Sequence, residues 1–422
     1  MRNLFDQYEQ PENRLTHALM SVLHREPKLL RPFLRWLGVR SAPATRRIHI
    51  GQQQMPGTLV DTELDGQDGL PDGCLYDDDG WAVLIECKVQ AGISISQLQR
   101  HRKTAARYGF ENVALVLIAP DPPKRQLPAD THFRAWREVY DWFSQRTPGS
   151  LWVRQFVEYV QVFESKMLAR SYNIGSTLTM FTGFHFDHES PYTYSEGKRL
   201  MRLIGQEFRQ CRRLIDALQL DPDGKGRTAL TRGAEGGVWD YIPLKAARGA
   251  SFTAFPHATI ILRPAMAAAA ITIPNGLRGN ITKRLTSLEF DGFEKMIREI
   301  EANLRPIVER VPGAQPKLYL LQRHYKSQRS IPNVDGEIWV DLRAMVGDKS
   351  AKIRHQPMWL EAYYNVLVRK RSNMQTGIEV YLPYEYGGEP TVMQTPAALD
   401  VMVDTWLALK PLLDFALGND VA

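Results

Sequence analysis

The sequence predicts an α/β domain over residues 1–170, a mixed sheet flanked by helices, followed by an α+β domain over residues 171–422. Three observations carry that expectation. The chain has 422 residues, more than one hydrophobic core ordinarily organises. Helix-like and strand-like segments alternate over roughly the first 165 residues, as in sheets whose strands are joined through helices. After Arg170 the texture changes to a looser succession of strands and long helices, with no low-complexity linker between the two regions.

The elements follow in order. "QPENRLTHALMSVLHR" sets Leu15, Leu19, Val22 and Leu23 on one helical face, and Pro11 suits a first helical turn. "RRIHIGQQQ" alternates like a strand. "GCLYDDDGWAVLIECKV" reads as two strands joined by the turn "DDDG". Ser94 opens a helix to about Tyr108, "NVALVLIAP" is a buried strand, and "THFRAWREVYDWFSQR" is a short strand running into a helix. "LWVRQFVEYVQVFESKML" closes the region as an amphipathic helix.

In the second region, "STLTMFTGFHF", "HATIILRPA", "AAITIPNG", "PKLYLLQRHY", "GEIWVDLRAM", "NVLVRK" and "GIEVYLPYEY" read as strands. "SEGKRLMRLIGQEFRQCRRLIDALQL", "LEFDGFEKMIREIEANLRPIVERV" and "PAALDVMVDTWLALKPLLDFAL" read as helices. Residues 257–311 and 363–417 each read as a hairpin leading into a helix, which suggests an internal duplication. "RLMRLIGQEFRQCRRL" places Arg202, Arg209, Arg212 and Arg213 on one long helix, and "VRKRSN" and "ITKRL" add basic sites.

Composition narrows the function. With 44% hydrophobic and 24% charged residues the chain reads as soluble and globular. No apolar run reaches the ~18 residues of a membrane span, so no membrane partner is expected. The N-terminus lacks the apolar core of a signal peptide. Three cysteines without a CxxC pair argue against a disulfide framework or a cysteine zinc site and fit the cytoplasm. A net charge of +6 permits phosphate binding without requiring it. "DPDGKGRTAL" lacks the first glycine and the strand context of a phosphate-binding loop.

The chemistry concentrates in "LPDGCLYDDDGWAVLIECKVQ". If its strands pair through the turn, Asp72 and Glu86 meet at one end of the sheet. Glu86 and Lys88, two apart, share a strand face. Two carboxylates and the Cys87 carbonyl offer hard oxygens to a divalent cation, and an ammonium beside them favours hydroxide and stabilises phosphorane charge. Pro71-Asp72 followed by Glu86-Cys87-Lys88 at the end of an apolar strand resembles the PD-(D/E)XK nuclease superfamily. An initial helix bearing Glu12 and a helix "QLQRH" after the lysine strand add to the likeness, which covers about the first 165 residues.

The resemblance implies a restriction-endonuclease-like N-terminal domain and a magnesium-dependent phosphodiesterase that also accepts manganese. It implies nucleic acid as partner, DNA ahead of RNA, in bacterial restriction or anti-phage defence. Asp72, Glu86, Cys87 and Glu12 would be the metal ligands, Lys88 the group that positions water, and Gln97 a group that orients the site. Cleavage of RNA by the same site and an inert nucleic-acid-binding module are the alternatives; the presence of all three core residues argues against the second. The C-terminal region would bind substrate, sense a trigger or mediate assembly, as a homo-oligomer or with another protein. Two residues carry a second reading. Glu12 in a first helical turn also complements the helix dipole. Ser94 to Gln97 also fits a capping box. The resemblance places Gln97, Arg100 and His101 toward the substrate phosphates, and Lys103 and Arg107 continue a basic stripe that suits either a nucleic-acid backbone or a solvated helix face.

Overall fold

The computed structural model describes residues 10–39, 41–53, 55, 70–169, 177–186, 191–227, 236–277, 283–284, 287, 289–324, 326, 333–347, 352, 354, 356–369 and 374–418, the side chains of 168–169 excepted. The chain divides into two compact units, residues 1–180 and 181–422.

The first unit is mixed α/β. Strands β1 (His49–Gln52), β2 (Gly73–Tyr76), β3 (Trp81–Cys87), β4 (Asn112–Ala119) and β5 (Thr131–Ala135) lie in the order 1-2-3-4-5. The first three are antiparallel neighbours, whereas β3, β4 and β5 run parallel. The switch has a local cause. β2 and β3 are joined by a tight turn in which Asp77 Oδ1 accepts from the amides of Asp79 and Trp81. β3 reaches β4 through helix α3 (Ile95–Arg107), and a helical crossover returns the chain in the same direction.

Helices cover both faces of this sheet. Trp81, Val83, Ile85 and Cys87 alternate along β3 into a core shared with α1 (Pro11–Arg25), α2 (Leu30–Leu37), α4 (Trp136–Ser144) and α5 (Leu151–Ala169). The intervening Ala82 and Leu84 pack with Leu98, Ala105, Phe110 and Leu115 on the α3 side. Leu15, Leu19, Val22 and Leu23 of α1 are buried as its periodicity predicts. Helix α2 is an addition to the expected elements.

The second unit holds a six-stranded antiparallel sheet in the order β10-β9-β11-β8-β7-β6. Its strands are β6 (Val238–Ile242), β7 (His257–Leu262), β8 (Met266–Ile273), β9 (Gln315–His324), β10 (Asn333–Asp341) and β11 (Met374–Pro383). Ala258, Ile260, Ala269, Ile271, Ile378 and Val380 form one apolar face. They join a core with α6 (Tyr194–Gln210), α7 (Arg212–Leu218), α8 (Phe290–Arg310), α9 (Pro357–Leu367), α10 (Ala398–Ala408) and α11 (Lys410–Leu417).

Four expectations are corrected here. Residues 177–186 form no strand; Gly183 adopts φ +129° and the Phe181 and Phe184 rings pack edge to face at 4.9 Å, which breaks the alternation. The arginine-bearing helix is two helices, because Cys211 takes an extended conformation, ψ 106°, between α6 and α7. "NVLVRK" is not a strand: its first residues end α9, where Leu360, Tyr363 and Leu367 bury one helical stripe. The helical spacing of those three residues outweighs the β-propensity of the valines. The proposed duplication therefore fails, since residues 257–311 open with strand β7 and 363–417 open with the end of a helix. Residues 370–373, with most of "ITKRL", lie outside the described residues.

Gly377 shows how tightly the second sheet is built. A Cβ there would stand 2.2 Å from the Ile271 carbonyl oxygen and 3.0 Å from the Tyr319 hydroxyl. The carbonyl belongs to a paired strand and cannot withdraw. Gly377→Ala should therefore destabilise the protein by about 1–3 kcal/mol, measured by urea unfolding; an unchanged midpoint would contradict this packing.

Candidate functional site

The β2–β3 register sets Gly73 opposite Ile85 and thereby carries Asp72 to the level of Glu86. Asp72 Oδ2 accepts a hydrogen bond from the Cys87 amide at 2.8 Å, so the carboxylate is tied to the end of the neighbouring strand. Glu86 and Lys88 continue the α3-facing side of β3. Glu86 is buried, and Lys88 Nζ lies 2.5 Å from its Oε1. His101 of α3, also buried, places Nε2 2.9 Å from Glu86 Oε2. Glu86 Oε1 is buried, and the Lys88 ammonium is its close neighbour.

The backbone of Lys88 is clamped from two directions. Its amide donates to the Ile118 carbonyl at 2.8 Å, and its own carbonyl accepts from the Trp136 indole N–H at 2.9 Å. Beyond it the chain turns, and Glu12 Oε1 accepts from three successive amides, those of Val89, Gln90 and Ala91, at 3.0 to 3.3 Å. Helix α1 thus fastens the segment that follows the lysine. Glu12 serves neither as a bare first-turn charge nor, through Oε1, as a free oxygen.

Electrostatics follow from this crowding. Burial and the neighbouring Glu86 push the Asp72 carboxyl up to about 6, against the opposing pull of the Cys87 amide, Lys88 and His101. Burial opposes charge on Lys88, yet Glu86, Asp72 and Glu12 hold its pKa above the ordinary lysine value, so it stays an ammonium at neutral pH. Glu12 is lowered: burial pulls it up, but the loop amides outweigh burial. The Cys87 thiol is packed in the α1-side core and pushed well above its usual range by burial. It is no nucleophile; at this site Cys87 acts through its backbone.

Gln97 lies on the first turn of α3. Ser94 caps that helix by accepting from the Gln97 amide at 3.3 Å, and the return bond from the Gln97 side chain is absent among the described residues. The half-buried Gln97 side chain begins the helix that carries His101, one turn further on. The structure therefore brings together Asp72, Glu86 and Lys88, adds Glu12 as a loop fastener, and leaves Gln97 at the helix start.

Trp136 and Thr16, whose hydroxyl contacts the Cys87 thiol, were not singled out as site residues from sequence, and His101, expected to face substrate phosphates, is instead buried against Glu86. His101 had a signal: with Leu98, Thr104 and Ala105 it forms the buried stripe of an otherwise polar helix, and a histidine in such a stripe needs a partner.

Among the described residues no group of three or more His, Cys, Asp or Glu side chains stands ready to hold a metal ion. The pair Asp72 and Glu86 nonetheless fits a hard divalent cation. Two like charges repel across the site; a cation relieves that repulsion. Magnesium keeps several waters and is commonly held by one or two carboxylates.

Compared with known proteins, the chain matches no family model, no curated protein and no solved structure.

The raised Asp72 predicts a pH signature. Folding favours the protonated form, so this contribution is complete below pH 3.8 and is lost as pH rises through about 6. Above pH 6 the metal-free protein bears the cost of ionised Asp72. Asp72→Asn should then be more stable than wild type in EDTA by up to about 3 kcal/mol, with the difference vanishing near pH 4. Thermal melts across that range decide; parallel curves would remove the like-charge account.

Glu12 has the opposite sign. Its lowered pKa contributes stability above the unfolded value, lost as pH falls through the folded one. Glu12→Gln should cost about 1 kcal/mol or less at pH 7, because the half-exposed carboxylate is screened by solvent, and should raise hydrogen exchange at Val89, Gln90 and Ala91 in particular. Unaltered exchange at those amides would show that the loop is held by other means.

Proposed function

We propose that this chain is a magnesium-dependent nuclease that hydrolyses phosphodiester bonds of DNA in bacterial restriction or anti-phage defence. In this reading residues 1–170 carry a restriction-endonuclease-like fold. The observation that supports it best is the convergence of Asp72, Glu86 and Lys88 at the ends of paired strands, with a buried Glu86 oxygen beside a lysine kept charged. The order of antiparallel and parallel strands and the helices on both faces accord with it.

Asp72, Glu86 and the Cys87 carbonyl would hold magnesium, or manganese in its place, with Glu12 completing the set through the oxygen that the loop amides do not engage. When bound, the ion supplies Lewis acidity toward a phosphoryl oxygen and acidifies a water. Lys88 is held protonated, so its part is electrostatic: it donates to the attacking water and to the charge that develops on phosphorus. His101 is a positioning residue, fixing Glu86 Oε2 so that Oε1 faces Lys88. Gln97, at the head of α3, orients the substrate side of the site. An inert binding module has no need of a buried, mutually repelling carboxylate pair, which favours catalysis.

A plasmid-nicking assay with magnesium, run beside EDTA and an RNA substrate, tests the proposal. Lys88→Ala and Glu86→Gln should each lower the rate by about 100-fold or more while keeping the wild-type circular dichroism. Wild-type nicking by either variant would refute the site, and preferential cleavage of RNA would move the substrate to RNA.

A further inference from the structure

The second unit contains a cavity of about 260 Å³ bounded by Asp221–Lys225, by β6 and by the loop that enters β7. β6 is an edge strand. Val238 and Ile242 point into the hydrophobic core, so alternation turns Trp239 and Tyr241 to the opposite face. There Tyr241 meets the His257 ring at 5.0 Å and the Phe252 ring at 5.5 Å, with the latter planes inclined by 33°. Phe252 also lies 6.1 Å from Trp239. His257 is buried beneath this cluster with Nδ1 3.1 Å from the Phe255 carbonyl oxygen. Burial draws its pKa down to about 4, so this wall is uncharged at neutral pH. Phe252, by contrast, is 41% exposed, a large apolar ring held at the opening.

The rim is charged but balanced. Arg248 grips Asp221 through two bonds, Nε to Oδ2 at 3.0 Å and Nη2 to Oδ1 at 2.7 Å, and lies 3.6 Å from Asp223. Lys225 supplies a second cation beside the two carboxylates. Such a rim has little net pull on a polyphosphate or on a quaternary ammonium ion. It offers oriented donors and acceptors around flat rings, which suits a neutral, planar, hydrogen-bonding ligand. Ligand cavities commonly begin near ~300 Å³, so this one takes a single ring system.

We propose that this cavity binds a nucleobase, presented either by a free nucleotide or by single-stranded nucleic acid. Stacking on aromatic side chains tolerates every base because each has a π-face. The Arg227 guanidinium lies over the ring of Trp239, on β6, 4.1 Å from its centroid. The choice of a nucleobase among planar heterocycles rests on the nuclease reading above; the cavity and its rings do not.

The test uses the full chain in EDTA, so that binding is read without cleavage. The four nucleoside monophosphates are titrated by calorimetry against wild type, Phe252→Ala and Lys88→Ala. At least one should bind wild type saturably, Phe252→Ala should weaken it about tenfold or more, and Lys88→Ala should leave it unchanged. Displacement of the bound monophosphate by an eight-residue single strand would assign the base to a strand, and its persistence would assign it to a free nucleotide. Absence of saturable binding, binding indifferent to Phe252→Ala, or preference for tetramethylammonium would overturn the proposal. Loss of binding by Lys88→Ala would also overturn it, by placing the ligand at the carboxylate site. Failure of nicking with intact nucleotide binding would count against the nuclease reading alone.

Discussion

A carboxylate 2% exposed at the end of a central strand cannot stand alone. The desolvation of an ion is large, and removing one partner of a buried pair is far costlier than the pair is worth. Glu86 has two such partners, the Lys88 ammonium on its own strand and the His101 ring on α3. Each presupposes a part of the fold. Lys88 shares the face of Glu86 only because β3 stays extended through its end. His101 reaches Glu86 only because α3 packs along that face through Leu98 and Ala105. The same helix is the crossover that makes β3 and β4 parallel, so the topology of the sheet and the partner of the carboxylate have one origin.

The opposite face of β3 is apolar without exception: Trp81, Val83, Ile85 and Cys87 all join the core under α1, α4 and α5. That division fixes register, because a slip of one residue would drive Glu86 into this core, away from His101, and turn Ile85 to the α3 side. The strand end is then secured by groups from elsewhere in the chain: the Asp72 carboxylate on the Cys87 amide, the Trp136 indole on the Lys88 carbonyl and Glu12 on the three amides beyond. These fasteners put the reactive groups on rigid elements rather than on a loop, the arrangement that keeps catalytic geometry within narrow limits.

Much of this was legible because it is local. The spacing of Asp72, the "DDDG" turn and Glu86 is a hairpin written in one stretch of sequence, and its register followed. The apolar face of α1 was equally plain. What was not legible depends on distance or on competing periods. His101 pairs with a residue on another element, and Glu12 reaches amides more than seventy residues away; neither partner is visible in the local sequence. Residues 363–367 carry a valine that suits a strand, yet Leu360, Tyr363 and Leu367 at helical spacing bury more surface and settle the matter. Cys211 interrupts an arginine-rich helix with no proline or glycine to announce it.

Burial alone does not single out the site. Glu301 and Glu379 of the second unit are also pushed up, each to about 7, and burial is the first cause in both. Glu379 faces Arg263 and Lys317, whose charges oppose the shift; Glu301 has Arg298 doing the same ahead of Glu294. Asp72 differs in kind. Its second cause is another carboxylate, Glu86, and the two are held together by strand register rather than by any attraction between them. A fold that keeps two carboxylates adjacent, their repulsion only partly offset by Lys88 and His101, is less stable than it would be with a neutral residue at position 72. Such local destabilisation persists where activity requires it, and the species that best relieves it is a small divalent cation with water to spare. The argument for a metal at this hairpin end therefore rests on what the chain forces together, Asp72 against Glu86 beside a charged Lys88, more than on how far any one group is buried.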